Sequence, residues 1–104
     1  MEKNIISNER RDELLAASPS PDRLTPDYLK SRITGTDFTR LTDTLTVCVI
    51  TMQNGFTVTG ESACAAVENY NQELGEKISF ENAFDKLWPL EGYLLREKMS
   101  LRDA

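Results

Sequence analysis

The sequence predicts an α+β fold: a small three-stranded antiparallel meander packed against a long helix and a second helix after a proline break, with a short N-terminal helix. Three observations predict it. Two stretches rich in β-branched residues, Thr44–Gln53 and Phe56–Gly60, flank Asn54-Gly55, a strong hairpin signal. Apolar residues then recur at helical spacing from Tyr70 to Trp88. Pro89 interrupts that run, and Leu90–Leu101 resumes it with Tyr93, Leu94 and Leu95.

Residues 1–23 are polar and end in Ser18-Pro19-Ser20-Pro21-Asp22-Arg23. Asn8–Ala17 is expected to form a short helix capped by Asn8, with Leu14 and Leu15 as its apolar contribution. Two leucines hold a helix to a core weakly, and the Ser-Pro repeat favours an extended linker. The segment therefore reads as mobile, or as ordered only against a partner. A single α+β domain follows over residues 24–104.

Thr25 caps a helix expected over Thr25–Thr34, with Pro26 at its first position, where a missing N–H costs nothing. Leu24 and Leu29 are spaced for a hydrophobic staple, and Gly35 is the expected stop. Asp37–Leu41 reads as a strand whose apolar members are Phe38 and Leu41, and Thr42-Asp43-Thr44 as the turn out of it.

A type I′ turn at Asn54-Gly55 sets Gln53 opposite Phe56, Thr51 opposite Val58 and Val49 opposite Gly60. One face then carries Val47, Val49, Thr51, Phe56 and Val58, and the other Cys48, Ile50 and Met52 opposite Thr57 and Thr59. The strand at Thr44–Gln53 is thus apolar on both faces. Its Cys48/Ile50/Met52 face needs cover from the Thr25–Thr34 helix or from a second protomer. The latter cover makes a homo-oligomer an expectation.

The long helix is expected to begin near Glu68 or Asn69, with a stripe of Tyr70, Leu74, Ile78, Phe84 and Trp88 widened by Phe80 and Leu87. Gly75 inside it costs roughly 1 kcal/mol relative to alanine and reads as a close approach to a strand. Gly55 reads as a turn, Gly60 as a bulge and Gly92 as a helix-end device.

Several chemistries drop out on residue types. The formal charge is −5, which opposes direct nucleic-acid binding and anionic membrane surfaces. The chain has no histidine, which removes histidine-activated nucleophiles, histidine bases and histidine metal sites. Two cysteines cannot fill a four-ligand zinc site, and the carboxylates are scattered singly. No P-loop or G-x-G-x-x-G spacing occurs. No enzyme, no cofactor and no metal is the expectation. No apolar run is long enough to span a membrane, and the N-terminus lacks an apolar core of signal-peptide length. A cytoplasmic location with Cys48 and Cys64 reduced follows. Cys48, in mid-strand, reads as a core residue, and Cys64 as a packing residue near a helix start, where a thiol pKa can be lowered.

The candidate positions are therefore for binding. Trp88, the single tryptophan, and Tyr93 flank the helix break and suit a protein interface. Phe56, Ile50 and Met52 join them from the hairpin. Glu61 and Ser62 read as a ligand-facing pair at the mouth of a sheet–helix cleft.

The runs TVCVITMQNGFTVTGESAC, ENYNQELGEKI and ENAFDKLWPLEGYLL resemble a family of small phage proteins typified by the gene-49 product of phage N4 and the gene-66 product of phage Sf6. The resemblance covers about Leu24 to Met99. One departure is visible: Val67 stands where the family pattern implies a proline before the long helix. The resemblance implies a phage or prophage origin, and hence the host cytoplasm, and it brings no catalytic residues. The expected function is a non-enzymatic phage accessory protein that binds and modulates a host protein, as a counter-defence or host-takeover inhibitor. The alternative is an oligomeric small-molecule binder that sequesters a nucleotide-type signal.

Overall fold

The computed structural model describes residues 5–104; residues 1–4, the start of the segment expected to be mobile, lie outside the described residues. The chain runs α1 (Asn8–Ala16), α2 (Pro26–Ser31), β1 (Ile33–Arg40), β2 (Leu45–Met52), β3 (Thr57–Ala63), a 3₁₀ turn at Val67–Asn69, α3 (Gln72–Asp85) and α4 (Leu87–Arg102). The strands form one antiparallel sheet in the order β1-β2-β3. The α+β class and the meander are as the sequence predicts.

α1 buries none of its residues, and Leu14 and Leu15 are about half exposed. Its cap is Ser7, whose hydroxyl accepts from the Arg10 N–H, one residue before the expected Asn8. The radius of gyration is 17.3 Å, against about 13 Å for a compact chain of this length. The linker is tied at Asp22, whose two carboxylate oxygens accept from the Arg102 guanidinium at 3.0 and 3.1 Å. That pairing holds the Asp22 pKa below its ordinary range.

α2 starts as predicted, with Thr25 accepting from the Tyr28 N–H and Pro26 in the first turn. It ends at Ser31 rather than Thr34, because Ile33 and Gly35 pair with Met52 and Thr51 in the sheet. The first strand is correspondingly Ile33–Arg40 rather than Asp37–Leu41. Leu41 falls into the turn and is largely exposed.

The hairpin register differs from the predicted one by a single residue. Gly55 has φ +88°, but no described non-glycine residue, Asn54 included, takes positive φ, so Asn54 does not supply the first half of a type I′ turn. Instead the Gly55 N–H donates to the Met52 carbonyl, and the Met52 N–H donates to the Phe56 carbonyl. The result is a three-residue loop, Gln53-Asn54-Gly55, with glycine at its left-handed position. Ile50 then faces Val58, and Cys48 faces Gly60. The slip moves every β3 side chain to the other face. Val58 and Gly60 are buried with Thr46, Cys48, Ile50 and Met52, while Thr57 and Thr59 point to solvent.

This apolar face is covered by the chain's own helices, not by a second copy. α3 lies across β2 and β3, and α2 and α4 close the rest around Leu29, Ala83 and Leu87. The buried residues of α3 are Gly75, Ser79 and Ala83, while Phe80 and Phe84 of the predicted stripe pack half-buried against the core. Small residues let the helix backbone come down onto the strands. A Cβ on Gly60 would lie 2.2 Å from the Ala83 nitrogen and 2.3 Å from the Ser79 oxygen. Gly60 is therefore a close-approach position rather than a bulge. Gly75 makes the expected close approach, with Thr46 beneath it.

α3 begins at Gln72, capped by the Asn71 side chain accepting from the Leu74 N–H at 2.9 Å. The predicted start near Glu68 is taken up by the 3₁₀ turn. The break before α4 falls at Lys86, three residues ahead of Pro89. Pro89 then occupies the first turn of α4, where backbone N–H groups have no helical partner anyway. Gly92 sits within α4 facing Leu24 and is not a helix end.

One buried brace ties the parts together. Glu91 is 4% exposed and accepts from Arg32 at 3.2 Å. Arg32 also donates to the Gln53 side chain, and Gln53 donates to the Ser31 carbonyl. The brace joins the end of α2, the hairpin loop and α4.

Candidate functional site

The geometry of the sheet edges follows from the ladder. The N–H groups of Met52 and Cys64 donate across the β2–β3 pairing to Phe56 and Thr44, so even-numbered residues of β2 bond toward β3. The Leu41 N–H donates to Leu45, so odd-numbered residues bond toward β1. Antiparallel ladders alternate. In β1, Asp37 and Thr39 therefore use their backbone groups against β2. Thr36, Phe38 and Arg40 turn theirs outward.

Beside that open edge runs a groove. Phe38 on β1, Pro26 and Lys30 on α2, and Phe80, Phe84 and Trp88 on α3 and α4 line it. The three aromatics recur at every fourth residue and so stack along one helical flank. The Phe80 and Phe84 centroids are 5.7 Å apart, and those of Phe84 and Trp88 are 6.3 Å apart in an edge-on pair. Each such pair fixes ring orientation and contributes ~0.5–1.5 kcal/mol beyond area burial. The lining also carries Glu73, Glu76, Glu81 and Asp85 against Lys30 and Lys77, and Lys77 is already paired with Glu81 at 3.5 Å. The groove is thus aromatic and net acidic.

A separate small pocket that shares Phe38 and Glu76 with the groove is lined by Arg40, Thr46, Tyr70 and Gln72. The Arg40 guanidinium lies 3.7 Å from the Tyr70 ring centroid and donates to the Asp43 carbonyl at 2.6 Å. The Tyr70 hydroxyl pairs with the Thr46 hydroxyl at 3.1 Å.

The predicted interface residues divide between two places. Trp88 belongs to the aromatic groove. Met52, Phe56 and Tyr93 meet on the opposite flank, in an apolar cleft of about 210 Å³ that also takes in Leu87, Leu90 and Leu94. Phe56 and Tyr93 are 56% and 72% exposed there. Ile50 is fully enclosed in the core and meets only its own chain. Glu61 and Ser62 do not converge, because successive strand residues point to opposite faces. Glu61 is exposed, while Ser62 lines a small cleft with Tyr70 and Leu74. The Glu61 carbonyl points outward and accepts from the Asn82 side chain at 2.8 Å.

Cys48 is buried, and burial, followed by the nearby Asp37 charge, pushes its thiol pKa up. Cys64 is partly buried beside the Thr44 carbonyl. Among the described residues, no group of three or more Cys, Asp or Glu side chains is placed to hold a metal. None of the described helices is long and apolar enough to cross a membrane.

Sequence reasoning missed Phe38, Phe80 and Phe84 as site residues, since it read the two α3 phenylalanines only as members of the helix's apolar stripe. The signal that separates them is the row Gly75-Ser79-Ala83, which already supplies a sheet-facing stripe and leaves the aromatics to the flank.

No curated protein and no solved structure matched the chain. The family described as Phage protein (N4 Gp49/phage Sf6 gene 66) matches residues 24–99. The match begins at Leu24, beside the cap of α2, takes in the sheet and α3, and ends in the last turns of α4. It includes every residue of the aromatic groove, leaving α1 and the linker outside. The chain belongs to the Phage protein (N4 Gp49/phage Sf6 gene 66) family.

Proposed function

We propose that this phage protein is a non-enzymatic accessory protein that binds a host protein through the groove beside β1 and modulates it, as a counter-defence or host-takeover inhibitor. The observation that carries the reading is a solvent-open aromatic groove running along a sheet edge that the described residues leave unpaired. Interface energy concentrates on a few aromatic anchors in well-packed pockets, and tryptophan leads them. Here the rings are ordered in advance by their own stacking, which lowers the entropy lost on binding.

The test is affinity capture with the tagged full chain from host cells, comparing wild type with Phe38→Asp and Tyr93→Asp. Tyr93 is 72% exposed and Phe38 36% exposed, and circular dichroism of both variants checks that each is folded. The expected result is a host protein retained by wild type and Tyr93→Asp and lost from Phe38→Asp. Retention by all three, or no specific host protein, refutes the reading.

A second reading, sequestration of a nucleotide-type signal by an oligomer, draws on Phe56 and Tyr93. Two exposed aromatics at the rim of an apolar cleft can stack on a base. At about 210 Å³ the cleft is smaller than the ~300–1,000 Å³ of most small-molecule sites, so it needs completion by a second copy. A thermal-shift panel of nucleotides separates the readings: a shift abolished by Tyr93→Asp favours sequestration, and none across the panel excludes it.

A further inference from the structure

We infer that the partner offers this protein an extended basic strand, which adds to β1 as the fourth strand of the sheet and lays alternate apolar side chains in the aromatic groove. The inference rests on the groove reading above and adds the chemistry of the occupant.

The first argument is the backbone. β1 spans eight residues, contains no proline and carries charge only at Asp37 and Arg40. Its Thr36, Phe38 and Arg40 main-chain groups face outward, and among the described residues no other strand follows β1 in the sheet. A row of unpaired N–H and C=O groups is a template for another strand. The opposite edge is treated differently. There α3 presses onto β3 at Gly60, and Asn82 donates to the outward carbonyl of Glu61.

The second argument is spacing. A strand paired to β1 lies ~4.8 Å beyond it and points every second side chain toward the helix layer, at intervals of ~6.8 Å. The Phe80–Phe84 and Phe84–Trp88 centroid separations are 5.7 and 6.3 Å. Both separations lie near that interval, and Phe38 lines the groove from the sheet side.

The third argument is charge. Four carboxylates line the groove against two lysines, one of them already paired. Lysine or arginine flanking the apolar anchors complements that lining. A second copy of this chain would bring the same carboxylates on a molecule of net charge −5, so a basic partner fits better than self-pairing.

The experiment uses the full chain and a synthetic seven-residue peptide alternating Lys or Arg with Val or Phe. Amide hydrogen exchange is followed residue by residue, with Trp88 fluorescence as the titration signal. With the peptide in excess, exchange at Thr36, Phe38 and Arg40 is expected to slow about tenfold while core amides stay unchanged. The same peptide methylated on alternate backbone nitrogens, or carrying Glu in place of its basic residues, is expected to give no slowing. Thr36→Pro removes one outward N–H and is expected to weaken the peptide's effect. Unchanged exchange at the three amides, or equal slowing by the methylated or acidic peptides, overturns the inference. Slowing that follows protein concentration without peptide overturns it in favour of a second copy. Should Phe38→Asp abolish host capture while the amides stay unprotected, strand addition fails and the groove reading stands.

Discussion

β1 and β3 are the two outer strands of one three-stranded sheet, and α3 roofs β3 while leaving β1 bare. The difference comes from glycine placement and helix composition. Gly60 on β3 lets the α3 backbone settle against the strand, and Gly75, Ser79 and Ala83 keep that contact thin. Asn82 then occupies the outward carbonyl of Glu61. Toward β1 the helix presents Phe80 and Phe84 instead, which line a groove with Phe38. α3 packs on β3 through small side chains, and large ones line the groove beside β1.

The largest test of this comparison is a pair of glycine substitutions. Gly60→Ala drives a methyl group into helix backbone. It is expected to cost about 3 kcal/mol or more, lowering Tm by roughly 15 °C. Gly35→Ala on β1 meets nothing nearer than the Thr51 Cβ at 4.0 Å, at a φ that is not positive. It is expected to leave Tm unchanged or raise it slightly, through reduced unfolded-chain entropy. Thermal unfolding by circular dichroism reads both. Similar losses at the two positions would show that the edges are not packed differently.

Removing the brace comes next. Glu91→Ala strands the partly buried Arg32 guanidinium and is expected to cost ~3 kcal/mol in denaturant midpoint experiments. Both edges should feel this equally, since the brace joins α2, the hairpin and α4. Proline substitutions then test the ladder itself. Thr36→Pro deletes an outward N–H and should fold nearly as well as wild type, whereas Asp37→Pro deletes a bonded one and should be strongly destabilised. Equal tolerance would mean that the alternation along β1 is reversed.

The smallest effect concerns the linker. Asp22 has its pKa depressed from the ordinary 3.8 by Arg102. A depressed carboxylate favours the paired state above the unfolded pKa, and that preference is lost as pH falls through the lower folded value. At neutral pH, Asp22→Asn is expected to leave Tm unchanged but to speed tryptic cleavage after Arg23. An unchanged cleavage rate would show that the ion pair holds nothing in place.

Much of the frame was legible in the sequence. Cap chemistry placed α2 at Thr25-Pro26, β-branched runs placed the central strand, and turn chemistry placed the hairpin. The register was not legible, because Asn54-Gly55 suits both a two-residue loop and the last two positions of a three-residue loop. That one-residue difference decided which face of β3 is buried, and with it the fates of Val58, Gly60, Thr57 and Thr59. The helix face was misread for a related reason. Periodicity finds an apolar stripe, but it does not distinguish a helix packed through bulk from one packed through small residues on a glycine. Phe80 and Phe84 therefore read only as a packing stripe, when they also line the wall of a groove.

The most direct test of the unequal edges places a photo-crosslinking amino acid at Phe38 on β1 and, separately, at Thr59 on β3, in the full chain expressed in host cells. The account predicts a crosslinked host protein from position 38 and none from position 59. Equal adducts at both positions, or an adduct only at 59, would contradict it.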